Sequence, residues 1–255
     1  MLFYFAAGIC AIGVVVIAAL LFRRLDRLTD DAQPDGPTGG HTGAMLSALF
    51  LLAFAIAIVV PWTTSDAARA NTCTESQAIA EAYWAATRLP APAAARVQTG
   101  LREYVGLVRG REWRMMADGR LSPEGWRRLE ALRREVMTLP AADDQAADDR
   151  DAVADRLEEI TAARRLRAMD AKAAPPPGLL VTTVGTGIAV VLFPFLAGAR
   201  PRGMTIVPLA LMAAMLGLGV YLTFDIQHAF TGGLAVGPDA FTDLLPELDR
   251  IPGGG

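Results

Sequence analysis

Residues 44–62 read AMLSALFLLAFAIAIVVPW, with no Asp, Glu, Lys, Arg or His anywhere in the run. A helix needs about 20 apolar residues to cross a bilayer core. A backbone in lipid must also satisfy its hydrogen bonds internally, so such a run is expected to be helical. Residues 2–22, 179–197 and 204–224 share the same character. The first of these has no basic leader, and Phe22 is followed by Arg23 and Arg24 rather than by a small-residue cleavage site. It therefore reads as a retained span and not as a secretory signal.

Between the second and third apolar runs the composition changes sharply. Residues 63–177 hold 18 basic and 18 acidic side chains, a balanced and water-soluble mixture. The expectation is an all-α integral membrane protein with four transmembrane helices and a helical soluble insert between spans two and three. Residues 1–62 would carry spans one and two, joined by a polar linker over 23–43. Residues 63–177 would form the insert, 178–224 spans three and four, and 225–255 an extramembrane C-terminal strap with a flexible end. The whole chain of 255 residues is 53% hydrophobic and 20% charged, as such segregation requires.

Within the insert, Leu101, Tyr104, Val105 and Val108 recur at i, i+3, i+4, i+7, and Trp126, Leu129, Leu132 and Val136 mark a second stripe. Val153, Leu157 and Ile160 follow the same period in part. Ser122-Pro123-Glu124 supplies an N-cap, a proline at the first helical position and an acid in the first turn. Helices are expected near 74–88, 93–118, 123–138 and 146–173. No strong breaker separates Trp62 from Leu89, so span two is expected to continue out of the membrane as one long helix. Pro175-Pro176-Pro177 cannot continue a helix and resets the chain before span three.

The charge pattern speaks to orientation and partners. Arg23, Arg24 and Arg27 follow span one, and Arg200 and Arg202 sit between spans three and four. The positive-inside rule makes that side cytoplasmic, leaving the termini and the insert extracytoplasmic. Arg164, Arg165, Arg167 and Lys172, before span three, argue the other way. A net charge of −3 with no basic stripe excludes nucleic acid as a partner. The expected partners are the lipid bilayer of the cell membrane and further copies of the chain in a homo-oligomer.

Catalytic constellations are missing. His41 and His228 fall in the linker and the tail, Cys10 and Cys73 lie far apart, and no Walker-type glycine loop or metalloprotease helix motif occurs. No enzymatic role and no cofactor are expected. Asp143, Asp144, Asp148 and Asp149 could offer a cation site, since hard cations want several oxygen ligands. The competing reading is an acidic helix start that complements the macrodipole. Arg111 to Met116, REWRMM, could form a partner surface or pack internally with Glu112 paired to a nearby arginine. In span two, Ser47, Leu51, Phe54 and Ile58 share a face with Phe50 beside them. Repeated around an axis, that face would make a hydrophobic constriction. Thr182, Thr183, Gly185, Thr186 and Gly187 give span three a small, mildly polar patch suited to close helix packing or to a water-filled path.

Three stretches together resemble a known family: ESQAIAEAYWAATRLP at 75–90, LREYVGLVRGREWRMMADGRLS at 101–122, and AFTGGLAVGPDAF at 229–241. Their order and setting are similar to an uncharacterised bacterial family of four-span membrane proteins described as bestrophin-like. Arg114, Ala229 and His228 depart from that family's pattern. The resemblance singles out Tyr104, Glu112 and Trp113, and covers the chain from about Gly43 onward. Bestrophins proper are pentameric anion channels whose second span lines a hydrophobic neck. The resemblance thus implies an oligomeric ion channel, with a pentamer as the model. The alternative is a non-conducting membrane sensor or scaffold whose insert binds a protein or small ligand.

The tail closes the reading. Gly232-Gly233 permits a sharp turn, Leu234-Ala235-Val236 is expected to lie extended along a neighbour, and Pro238-Asp239 opens a segment with Phe241, Leu244 and Leu245 at i, i+3, i+4. Those apolar residues would otherwise face water, so the tail is expected to dock as a strap.

Overall fold

The computed structural model describes residues 13, 17, 37–174, 176–196 and 206–251. Every regular element among them is a helix: α1 (Pro37–Ala86), α2 (Ala91–Leu107), a π-helical turn (Val108–Glu112), α3 (Trp113–Met116), α4 (Pro123–Met137), α5 (Asp144–Lys172), α6 (Pro177–Leu196), α7 (Ile206–Asp225) and α8 (Asp239–Leu248). The expected first span lies outside the described residues, apart from Gly13 and Ile17. The chain divides into two compact units, the described part of Met1–Trp62 with Pro175–Gln227, and of Thr63–Ala174 with His228–Gly255.

Helix α1 is uninterrupted over 50 residues. It begins at Pro37, inside the stretch expected to be a linker. Proline at the first helical position has its φ preset and lacks only an N–H that would have no partner there anyway. The C-terminal end falls just before the turn that leads into Pro90, where continuation would cost a hydrogen bond.

In the first unit, the apolar part of α1 sits with α6 and α7. Its Phe50 and Phe54 rings stack with centroids 5.5 Å apart. Each ring occupies space that a glycine leaves open. A Cβ on Gly187 of α6 would lie 3.2 Å from Phe50 Cε2, and one on Gly219 of α7 only 2.6 Å from Phe54 Cζ. Val191, Phe195 and Ala213 form a buried cluster between α6 and α7. Thr182, Thr183, Thr186 and Thr223 donate their hydroxyls to carbonyls one turn back, at 2.7–2.9 Å. The threonine patch of α6 is thereby satisfied within its own helix, as apolar surroundings require. Gly219→Ala is expected to cost stability by displacing the Phe54 ring, and Phe54→Leu in the same chain to recover part of the loss. A double-mutant cycle on thermal unfolding reads this, and additive losses would show that the two positions are not coupled.

Only 17% of the most apolar stretch of α1 and 22% of that of α6 is buried within the chain. The core helix of a soluble protein would be mostly buried. These two helices are long and apolar enough to cross a bilayer, and Leu209–Asp225 is a shorter apolar helix.

The second unit is built on the expected stripes. Leu101, Tyr104, Val105, Val108, Val153, Leu157 and Ile160 are all fully buried, as are Ile79, Ala82 and Val97. Ser122 caps α4, its Oγ accepting from the Glu124 N–H at 3.2 Å, and Asp143 caps α5 by accepting from Ala146 at 2.8 Å. The helix expected over 93–118 runs over 91–116, with the π-helical turn inside it shifting the register by one residue before Trp113.

The tail folds into this unit. Phe241, Leu244, Leu248 and Ile251 enter the main core, which makes α8 an integral layer. Arg102 fastens its end by donating to Tyr83 Oη (2.9 Å), Asp249 (2.5 Å) and the Leu248 carbonyl (3.1 Å). Of the run expected to lie extended, Leu234 falls in a turn and 235–236 hold no regular structure. The chain turns at Gly232 (φ +90°), and the Val236 N–H donates to the Ala229 carbonyl at 2.8 Å. That closes a loop with Ala229, Phe230 and Val236 buried against Met116 and Ala171.

Candidate functional site

At the centre of the second unit lie four ionised side chains with no exposure at all: Glu75 from α1, Glu112 from the π-helical turn, and Arg164 and Arg167 from α5. Burying a charge is costly unless it is paired and hydrogen-bonded. Here two carboxylates meet two guanidiniums, so the formal charge cancels.

The pairing is bidentate on both sides. Arg164 donates from Nη1 to Glu112 Oε1 at 2.7 Å and from Nη2 to Glu112 Oε2 at 2.5 Å. Arg167 donates from Nε to Glu75 Oε2 at 2.6 Å and from Nη2 to Glu75 Oε1 at 3.0 Å. A further bond from Arg167 Nη2 to Glu112 Oε1, 2.9 Å, joins the two pairs into one network. Forked geometry of this kind is what a planar guanidinium supplies and a lysine cannot.

The remaining capacity is used by neighbours. Tyr104 donates its hydroxyl to Glu75 and accepts from Arg164 Nη1 at 2.9 Å. The Ser122 N–H donates to Glu112 Oε2 at 3.0 Å, and the Ser122 carbonyl accepts from Arg164 Nη2 at 2.9 Å. Met116 Sδ lies 3.0 Å from Arg167 Nη1. Aromatic faces cover the cations: Trp126 at 4.8 Å and Tyr104 at 5.4 Å from Arg164, and Phe241 at 5.6 Å from Arg167. Gly125 makes the space, because a Cβ there would come within 2.2 Å of Arg164 Nη2. Among the described residues, Arg164 Nε is the one buried side-chain polar atom left without a partner.

Burial works against the charges of Glu112, Arg164 and Arg167, and the pairing overrides it. For Glu112 desolvation raises the pKa, but the Arg164 hydrogen bonds and the charges of both guanidiniums hold it below the usual carboxylate value. Arg164 and Arg167 are likewise held charged despite desolvation, by the Tyr104 and Glu112 interactions for Arg164 and chiefly by Glu75 for Arg167. Burial pushes the Tyr104 hydroxyl well above its ordinary range, and the Glu75 carboxylate adds to that effect. The network acts as a clasp joining α1, α2, the π-helical turn, the α4 cap, α5 and, through Phe241, α8.

Two of its residues, Tyr104 and Glu112, were expected as packing or partner-surface positions. Both are fully buried, which places them in packing. Trp113 makes edge contacts with Phe230 at 5.6 Å and Phe241 at 6.0 Å, and so seats the tail. Arg164 and Arg167, read from the sequence as charges near the membrane entrance, are instead core residues. Their spacing held the signal: 153, 157, 160, 164 and 167 continue one apolar stripe, and Glu112 follows 101, 105 and 108 in the same way.

The other candidates separate. Of the span-two face, Phe50 and Phe54 turn toward Gly187 and Gly219, while Ser47 and Leu51 are exposed and Ile58 is half-buried. The acidic residues do not gather. Asp143 is an N-cap and Asp149 accepts from Gln145 at 3.3 Å, with Arg88 3.6 Å away, while Asp144 and Asp148 lie along the first turns of α5. Among the described residues, no group of three or more His, Cys, Asp or Glu side chains is arranged to hold a metal ion.

Residues 9–241 match the family model described as the bestrophin-like domain. No curated protein and no solved structure matches the chain.

Proposed function

The chain belongs to the bestrophin-like family, and from that membership we propose that it is an oligomeric ion channel in which α1 lines the pore. Family membership and the two apolar helices point to a membrane protein. The observation that carries the finer reading is the division of α1 into two faces. Phe50, Phe54 and Ala57 turn into the chain's own packing, while Ser47 and Leu51, on the adjoining edge of the helix, stay exposed. A pore helix needs one face held by its own subunit and another left free for the axis.

An axial pore built from one long helix per subunit requires a closed ring of copies. Leu51, flanked by Ser47 and Ile58, would form its hydrophobic constriction, while Phe50 and Phe54 would brace the helix from the side. The proposed setting is the cell membrane, multi-pass, with termini and insert extracytoplasmic. Arg164 and Arg167, two of the four charges opposing that orientation, are neutralised in ion pairs.

The test is native mass in detergent followed by ion flux from liposomes. A ring of several copies that conducts is expected, with Leu51→Asn raising flux several-fold because a polar side chain eases wetting of the neck. A stable monomer or dimer removes the axial pore and leaves a sensor or scaffold. An active channel indifferent to Leu51→Asn has its constriction elsewhere.

A further inference from the structure

The last turns of α5 carry an outward face with an unusual composition. Ala162, Leu166 and Met169 lie at i, i+4, i+7, on one side of the helix. Leu166 is 41% exposed and Met169 59%. Arg165 and Lys172, the chain's only lysine, flank them, both exposed and neither in an ion pair among the described residues. The acids nearest in sequence are occupied. Asp170 accepts from Asn71 at 2.8 Å, Glu158 pairs with Arg133 and Glu159 with Arg156.

This face cannot roll inward to hide its apolar residues. The opposite side of the same turns holds Ile160, Arg164, Arg167 and Ala171, all buried, and the two arginines are locked by the Glu75–Glu112 network. Leu166 and Met169 are thus held outward by the core itself. Covalent geometry then limits where they can be. From Lys172 to Pro177, where α6 begins, the chain can reach at most about 18 Å.

We propose that the C-terminal turns of α5 dock on the bilayer surface, with Leu166 and Met169 in the headgroup layer and Arg165 and Lys172 on anionic lipid phosphates. An exposed apolar stripe flanked by basic side chains is the pattern of an interfacial helix, and each basic residue near an anionic surface adds to binding. The long Lys172 and Arg165 stems can lie along the apolar layer while their charges reach the phosphates. The proposal rests on α6 being a membrane span.

The test uses the full chain with Cys10→Ser and Cys73→Ser, carrying a spin label at Met169→Cys, in vesicles of phosphatidylcholine and phosphatidylglycerol. The label is expected to be reached by oxygen and shielded from a water-soluble nickel chelate. A label at Met137→Cys, 51% exposed on the same unit, is expected to behave in the opposite way. Arg165→Glu with Lys172→Glu should reduce the shielding several-fold, and more with phosphatidylglycerol than without it. Nickel access at Met169 equal to that at Met137 overturns the proposal. So does dipolar broadening between labels, which would mean that copies of the chain cover the face. Shielding unchanged by the charge reversal overturns the role of the two basic residues. A label at Val181→Cys on α6 tells the two readings apart. In lipid at Val181 but in water at Met169, the docking alone has failed; in water at both, the span has failed with it.

Discussion

Glu112→Ala is expected to destabilise the second unit by about 3–5 kcal/mol, the cost of leaving a buried charge without its partner. Arg164 would lose both bonds of its fork, Arg167 one bond, and the Ser122 N–H its acceptor. Glu112→Gln should fall between, since it keeps the shape and part of the hydrogen bonding but not the charge. Unfolding of the purified full chain, followed by loss of helical signal with temperature, reads the series. Glu124→Ala is the control. Its pairs with Arg127 and Arg128 stand in water and should matter little. A loss at Glu112 no larger than at Glu124 would mean that water or a relaxed arrangement replaces the network.

The same carboxylate sets a pH dependence. Its folded pKa lies below the ordinary value of 4.5, so the unfolded chain binds the proton more readily. The stability it contributes is complete above the ordinary carboxylate range. It is lost as the pH falls through that range toward the lower folded value. Acid titration of Glu112→Gln should show a shallower fall than the parent chain.

Phe241→Ala is expected to cost about 3–5 kcal/mol, the range for truncating a fully buried aromatic ring. The ring touches Trp113 edge-on and lies beneath the Arg167 guanidinium, so its loss opens a cavity against both the core and the clasp. Limited proteolysis should then cut within 232–238, where the chain is irregular and its downstream anchor is weakened. Phe241→Leu should recover part of the loss. Parent-like stability and an uncut tail in Phe241→Ala would show that α8 is not needed to hold the second unit together.

Much of the fold was legible in the residues. Apolar runs without a charge marked 44–62, 179–197 and 204–224, and α1, α6 and α7 take up their described residues. The stripe at 101, 104, 105 and 108 and the Ser122-Pro123 start gave helices close to those observed, because capping and amphipathic period act within a few residues of each other. The docking of the tail was also readable, since Phe241 and Leu244 had no reason to face water at helical spacing. Less legible were the start of α1 in a glycine-rich stretch and the π-helical turn at Val108–Glu112. Both depend on what the helix meets further along, and not on its own propensities.

The sequence by itself determined which segments are apolar enough to leave water, which are helical, and which faces of those helices turn inward. Those properties depend on composition and on spacing along one chain. Only the tertiary structure decided what the charges do. Arg164 and Arg167 look like juxtamembrane cations until α5 packs against residues 92, 60, 55 and 52 positions away in the chain. Only then do Glu75 and Glu112 come within hydrogen-bonding distance. Likewise Phe50 and Phe54 look like members of an open face until Gly187 and Gly219 offer them room. A charge or a ring takes its meaning from the partner that folding brings to it, and no local pattern names that partner.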